Sequence, residues 1–104
     1  MLLWLFLGSG CHEPAAADPC VESGLTWESF GVGFTATYCR SCHSAATPDR
    51  RGAPVGVDFE TEADVRGAAA SIRRTVLEEG SMPIGGGVQP LDLERLDEWL
   101  GCSQ

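Results

Sequence analysis

The sequence predicts an all-α fold of about three main helices joined by loops. Two observations carry this: three stretches place apolar residues at three- and four-residue spacing behind helix-start residues, and no alternating strand pattern precedes the cysteine pair Cys39 and Cys42. At 104 residues the chain makes one domain at most. A domain this small buries a low fraction of its surface, so a disulfide, metal or cofactor is expected to help hold it together.

The first helix is expected over residues 26–38, with Thr26 as N-cap and Glu28 near the positive end of the helix dipole. Trp27, Phe30 and Phe34 fall on one stripe of it and are expected to be core residues. Residues 44–57 are rich in small residues, proline and arginine without periodicity, which predicts a loop. The clearest helix is residues 61–79. Thr61 with Asp64 forms a capping box there, Gly80 stands where a helix ends, and Val65, Ala69, Ile72 and Val76 form the apolar face. Arg66, Arg73, Arg74, Glu78 and Glu79 decorate its other side. A last helix is expected over residues 91–101, with Asp92 as N-cap, Leu91 stapled on Leu96, and Leu93, Leu96, Trp99 and Leu100 facing inward. Asp97 and Glu98 are expected to be solvated.

Between the first helix and the loop stands Cys39-Arg40-Ser41-Cys42-His43, a C-x-x-C-H pentapeptide. Two thiols three positions apart can each add to a vinyl group of a haem, and the adjacent histidine can supply an imidazole to its iron. The spacing suits one helical turn, so both sulfurs and the ring can meet one edge of a macrocycle. Two other readings stay open. Cys39 and Cys42 could join other cysteines in a structural zinc site or disulfide, making a stapled interaction module without haem. A dithiol redox site is the other, although such sites usually follow a strand in a βαβ pattern.

With Met82 in Ser81-Met82-Pro83 well downstream, the pentapeptide resembles the class I c-type cytochromes, and the likeness runs from about Trp27 to Cys102. The resemblance implies a cytochrome c-like fold, with helices and loops wrapped round one covalently attached haem and the first and last helices crossing. It implies His43 and Met82 as axial iron ligands and Cys39 and Cys42 as the thioether attachments. Gly31 holds the family's glycine position, eight residues before the first haem cysteine, where the two helices cross. Trp99 holds the aromatic position packed against it, and Thr35 stands where the family usually has an aromatic, with Phe34 one step away. A proline-bearing loop in the family accepts the proton from the other nitrogen of the axial histidine, and Ala53-Pro54 is the best match here. Arg50 and Arg51 are candidates to pair with haem propionates, or else are solvated loop residues. If Met82 does not bind, an open iron site for gas binding or peroxide reduction is the alternative.

Residues 1–10 form an apolar run, too short for a membrane span of ~20 residues, that reads as a removed export signal. Cys11 after Leu7-Gly8-Ser9-Gly10 resembles the lipidated cysteine of bacterial lipoproteins, with simple cleavage as the alternative. Residues 11–19 read as a tether, in which His12 is expected to have no metal role, and residues 20–104 as the cytochrome domain. Once these resemblances assign Cys11, Cys39 and Cys42, an exported protein is expected to oxidise Cys20 and Cys102 to a disulfide, with two free thiols as the alternative. Such a bridge would stabilise the domain by about 2 to 4 kcal/mol.

The chain has no lysine and a formal charge of −8. That charge argues against nucleic acid and against adhesion to anionic lipid, and favours docking to basic patches, which with the resemblance means redox partner proteins; the alternative is that it merely keeps the protein soluble. No Walker-type loop, triad-like arrangement or internal repeat is present. The expected function is one-electron transfer rather than catalysis on a substrate, by a periplasmic or membrane-anchored bacterial lipoprotein, alone or as a subunit of a larger oxidoreductase.

Overall fold

In the computed structural model the described residues are 22 and 24–102, and they contain helices and no strand. The expected export signal, the tether, Cys11, His12 and Cys20 lie outside them. The all-α class therefore holds for the described chain. No helix among these residues is long and apolar enough to cross a membrane.

Helix α1 begins with Trp27–Gly31 and continues as Val32–Tyr38. Thr26 caps it in a reciprocal box: its hydroxyl accepts from the Ser29 N–H at 3.0 Å, and the Ser29 hydroxyl accepts from the Thr26 N–H at 2.9 Å. The first turn is wide, with the Gly31 N–H reaching the Thr26 carbonyl at 3.1 Å, an i→i+5 bond. Phe30 and Phe34 are buried on one stripe, as the spacing predicts, and Trp27 is half-buried against them. Thr35 is buried too. Its hydroxyl donates to the Gly31 carbonyl at 3.0 Å, so a polar side chain sits in the core at no cost in unsatisfied groups.

Helix α2 is broken where a single helix is expected. Glu62–Gly67 is followed by Ala69–Ile72 and then by Arg73–Glu78, with Ala68 between the first two at φ −107° and ψ 11°. Gly67 precedes the break, and glycine is among the weakest helix formers. The Thr61–Asp64 capping box forms on both sides, at 3.1 Å and 3.2 Å. Gly80 ends the helix with φ +65°, a conformation that suits a residue without a Cβ. Val65, Ile72 and Val76 are buried and Ala69 is half-buried against the core, so the predicted face is the one that packs.

Helix α3 is Pro90–Leu100, and its start departs from the expectation. Pro90 takes the first position, where its missing N–H removes no bond, and Gln89 is the N-cap without a side-chain hydrogen bond. Asp92 is thus inside the first turn rather than capping it, and accepts from the Tyr38 hydroxyl at 2.8 Å. This bond holds the Tyr38 phenol above its ordinary pKa. Leu91 is 52% exposed and makes no staple, whereas Leu96, Trp99 and Leu100 are buried.

The core forms where α1 and α3 meet. Trp99 is 0% exposed; its ring lies 5.9 Å from Phe30, edge-on, and 6.2 Å from Trp27. A Cβ on Gly31 would stand 2.7 Å from Trp99 Cη2 and 2.7 Å from Trp27 Cε3. Glycine is therefore required by the contact itself. Two residues expected at the surface instead tie α2 to α3. The Arg66 guanidinium lies 4.4 Å over the Trp99 ring and donates to the carbonyls of Trp99 and Cys102, and Arg73 pairs with Asp97.

Gly31→Val should lower the unfolding free energy by about 1 to 3 kcal/mol or more, since both neighbouring rings must move. Gly33→Ala, where an added Cβ meets nothing within 4 Å, should leave it unchanged or raised by about 0.5 kcal/mol. Denaturant titration of both variants checks the pair.

Candidate functional site

The site is built on the turn that follows α1. The His43 N–H donates to the Cys39 carbonyl at 2.9 Å and the Cys42 N–H to the same carbonyl at 3.2 Å, which winds the pentapeptide into one turn. Cys39 and Cys42 are free thiols, both half-buried. Burial pushes the Cys39 thiol up to about 11.

The His43 ring is fixed by one hydrogen bond. Its Nδ1 lies 2.8 Å from the Val57 carbonyl oxygen, and since a carbonyl can only accept, Nδ1 carries a proton, so that in the neutral ring the lone pair is on Nε2. The acceptor is thus Val57 rather than the expected Ala53-Pro54, whose Pro54 carbonyl accepts from Arg50 Nη2 at 2.7 Å. Phe59 packs on the ring at a centroid distance of 4.9 Å, and its N–H returns to the His43 carbonyl at 2.9 Å. The sequence carried no pattern that marked Val57 or Phe59.

Arg50 has a different place from the one expected of it. Its guanidinium donates to the carbonyls of Ser44 at 2.8 Å, Ala53 at 3.2 Å, Pro54 at 2.7 Å and Val57 at 3.2 Å, and pairs with Asp58 at 2.8 Å. It is thereby committed to holding the loop, and Arg51, exposed at φ 50°, is the arginine on the cleft wall left for an anionic group.

Met82 approaches from the other side. After Gly80 turns the chain, the Met82 N–H donates to the Thr75 carbonyl at 3.1 Å, which lays the residue back over the last turns of α2, half-buried against the core. Two adjoining pockets result. Tyr38, Cys39, His43, Met82 and Pro83 line both, and Cys42 lines the first. Phe34, Val57, Phe59, Ile72 and Val76, with Ser71 and Thr75, also line the inner one, and Arg50, Arg51, Pro54 and Ile84 are among those that line the outer. Among the described residues no carboxylate lines either pocket.

The fold thus brings Cys39, Cys42, His43 and Met82 to one cleft. Two free thiols, an imidazole nitrogen with its lone pair available and a thioether make a donor set suited to a covalently held, axially ligated macrocycle, and the apolar walls suit its faces. Among the described residues no group of three or more His, Cys, Asp or Glu side chains could hold a metal ion. Cys102 is not among the residues lining the cleft and is disulfide-bonded. Comparison with protein-family models, curated proteins and solved structures returned no match to this chain.

In haem-free protein, alkylation of Cys39 by iodoacetamide should keep climbing as the pH rises from 8 towards about 11, because only the thiolate reacts and burial holds the proton on. Peptide mass mapping of the labelled sites follows this directly. A Cys39 rate already on its plateau at pH 9 would contradict the buried placement of this sulfur.

Proposed function

We propose that the protein is an exported one-electron carrier of the class I cytochrome c type, holding one haem c in the cleft. The observation that carries this reading is the convergence of Cys39, Cys42, His43 and Met82 on the walls of one cleft. A haem held there supplies reversible one-electron exchange at its iron.

Each residue then has a defined task. Cys39 and Cys42 retain the group through thioether bonds, and His43 presents Nε2 because the Val57 carbonyl holds the Nδ1 proton. Met82 offers its sulfur from a loop tied to α2 through the Thr75 carbonyl. Thioether ligation favours the reduced state relative to a second histidine. Phe34, Phe59, Ile72 and Val76 keep water from the inner side, so little polar surroundings must reorganise when the charge changes. Arg51 lines the cleft, and its guanidinium would pair with a propionate.

On this reading the partners are redox proteins. The formal charge of −8 favours approach to basic patches, while Ile84, 67% exposed on the wall of the cleft, offers apolar contact. Export, the lipid anchor on Cys11 and the Cys20–Cys102 disulfide belong to the same proposal and rest on the sequence. No step of substrate chemistry is assigned to any residue.

Met82→Ala should keep covalently bound haem and lower the reduction potential markedly, read by spectroelectrochemistry on the purified full chain. An unchanged potential would remove Met82 from the axial position. A parent protein with an already high-spin spectrum would favour the open-site alternative, gas binding or peroxide reduction.

A further inference from the structure

The loop between His43 and Phe59 has no regular secondary structure, yet the acceptor that fixes the His43 ring is one of its carbonyls. Something must hold that carbonyl in place. Backbone hydrogen bonds within the loop are few: Ala53 N–H to Arg50, Val57 N–H to Pro54 and Thr47 N–H to Ser44. Arg51, Gly52 and Gly56 all have positive φ, so the chain reverses repeatedly over a short span. These reversals turn the carbonyls of Ser44, Ala53, Pro54 and Val57 towards one point, where their oxygens would repel one another.

The Arg50 guanidinium occupies that point. Nε, Nη1 and Nη2 together donate to all four oxygens, and Asp58 at 2.8 Å balances the charge. Both side chains of the pair are largely buried, at 17% and 23% exposed. The Val57 oxygen is therefore shared, with Arg50 Nη2 at 3.2 Å and His43 Nδ1 at 2.8 Å. Few side chains can satisfy this arrangement. It needs several donors in one plane diverging at fixed angles, which a guanidinium has and an ammonium lacks.

We infer that Arg50 is the positioning residue for His43: its planar fork holds the Val57 carbonyl where it takes the Nδ1 proton, and so sets the orientation of the ring. The inference rests on the reading of His43 as the axial donor for its functional meaning, although the Arg50–Val57–His43 geometry exists without it. Arg50 touches no reacting atom. Its effect passes through one carbonyl to one imidazole, whose orientation and basicity depend on that bond.

The test is the protection of the His43 Nδ1 proton, followed by nitrogen-15 NMR on the reduced haem-loaded protein. In both Arg50→Lys and Arg50→Gln this proton should exchange with solvent roughly tenfold faster or more, while amides around Leu96 in α3 keep their parent rates. Parent-like protection in both variants would overturn the inference, and protection kept in Arg50→Lys alone would show that charge, not the fork, suffices and overturn it equally. If neither variant folds, the unmodified protein decides: the Arg50 side-chain N–H protons should be individually resolved and slow to exchange, and averaged, fast-exchanging signals would refute the arrangement. That last measurement also works on haem-free protein. A chain that takes up no haem would end the axial reading while leaving the positioning of His43 by Arg50 to be decided on its own.

Discussion

The contact between Gly31 and the Trp99 ring is the constraint on which the rest of the structure depends. With no Cβ on Gly31, the indole can lie against the backbone of α1, and the two helices meet closely enough to bury Trp99 completely. Phe30 and Trp27 then close round the same ring, and Arg66 of α2 covers it. Because α1 runs directly into Cys39, fixing α1 against α3 also fixes where the pentapeptide begins. The Tyr38–Asp92 bond repeats this tie about two turns further along α1, at the edge of the cleft.

The elements most legible in the sequence were those set by local periodicity. The stripes on α1 and α2, the N-cap at Thr26 and the capping box at Thr61 depend on residues within a turn or two of each other, and each appears in the structure. Departures arise where a distant partner competes. Asp92 satisfies the usual preference for an N-cap, but Pro90 starts the helix earlier and Tyr38, 54 positions away, takes the carboxylate. Arg66 and Asp97 look solvated on their own helices, and only the approach of α2 to α3 gives them partners. The break at Ala68 has a local correlate in Gly67, too weak by itself to predict it.

The candidate site divides in the same way. Cys39, Cys42 and His43 are legible because the chemistry they suit requires contiguity, and Met82 because of its setting in a proline-bearing loop. The groups that orient them were not legible. Val57 acts through its backbone, which every residue has, and Arg50 is held by carbonyls that no sequence pattern marks. Hence the donor atoms could be named from the sequence, whereas the acceptor for His43 and the place of Arg50 required the folded loop. The all-α class and the apolar cleft are features of the structure, and the haem, the electron-carrier role and the lipid anchor are what we propose for it.

The most direct test of the central proposal is a visible spectrum of the full chain co-expressed with a haem-attachment system, oxidised and reduced, after acid extraction of loosely held haem. The account predicts haem that stays with the protein, low-spin in both states, with the methionine–iron charge-transfer band in the oxidised form. Colourless protein after extraction would contradict it and return Cys39 and Cys42 to a purely structural or thiol role.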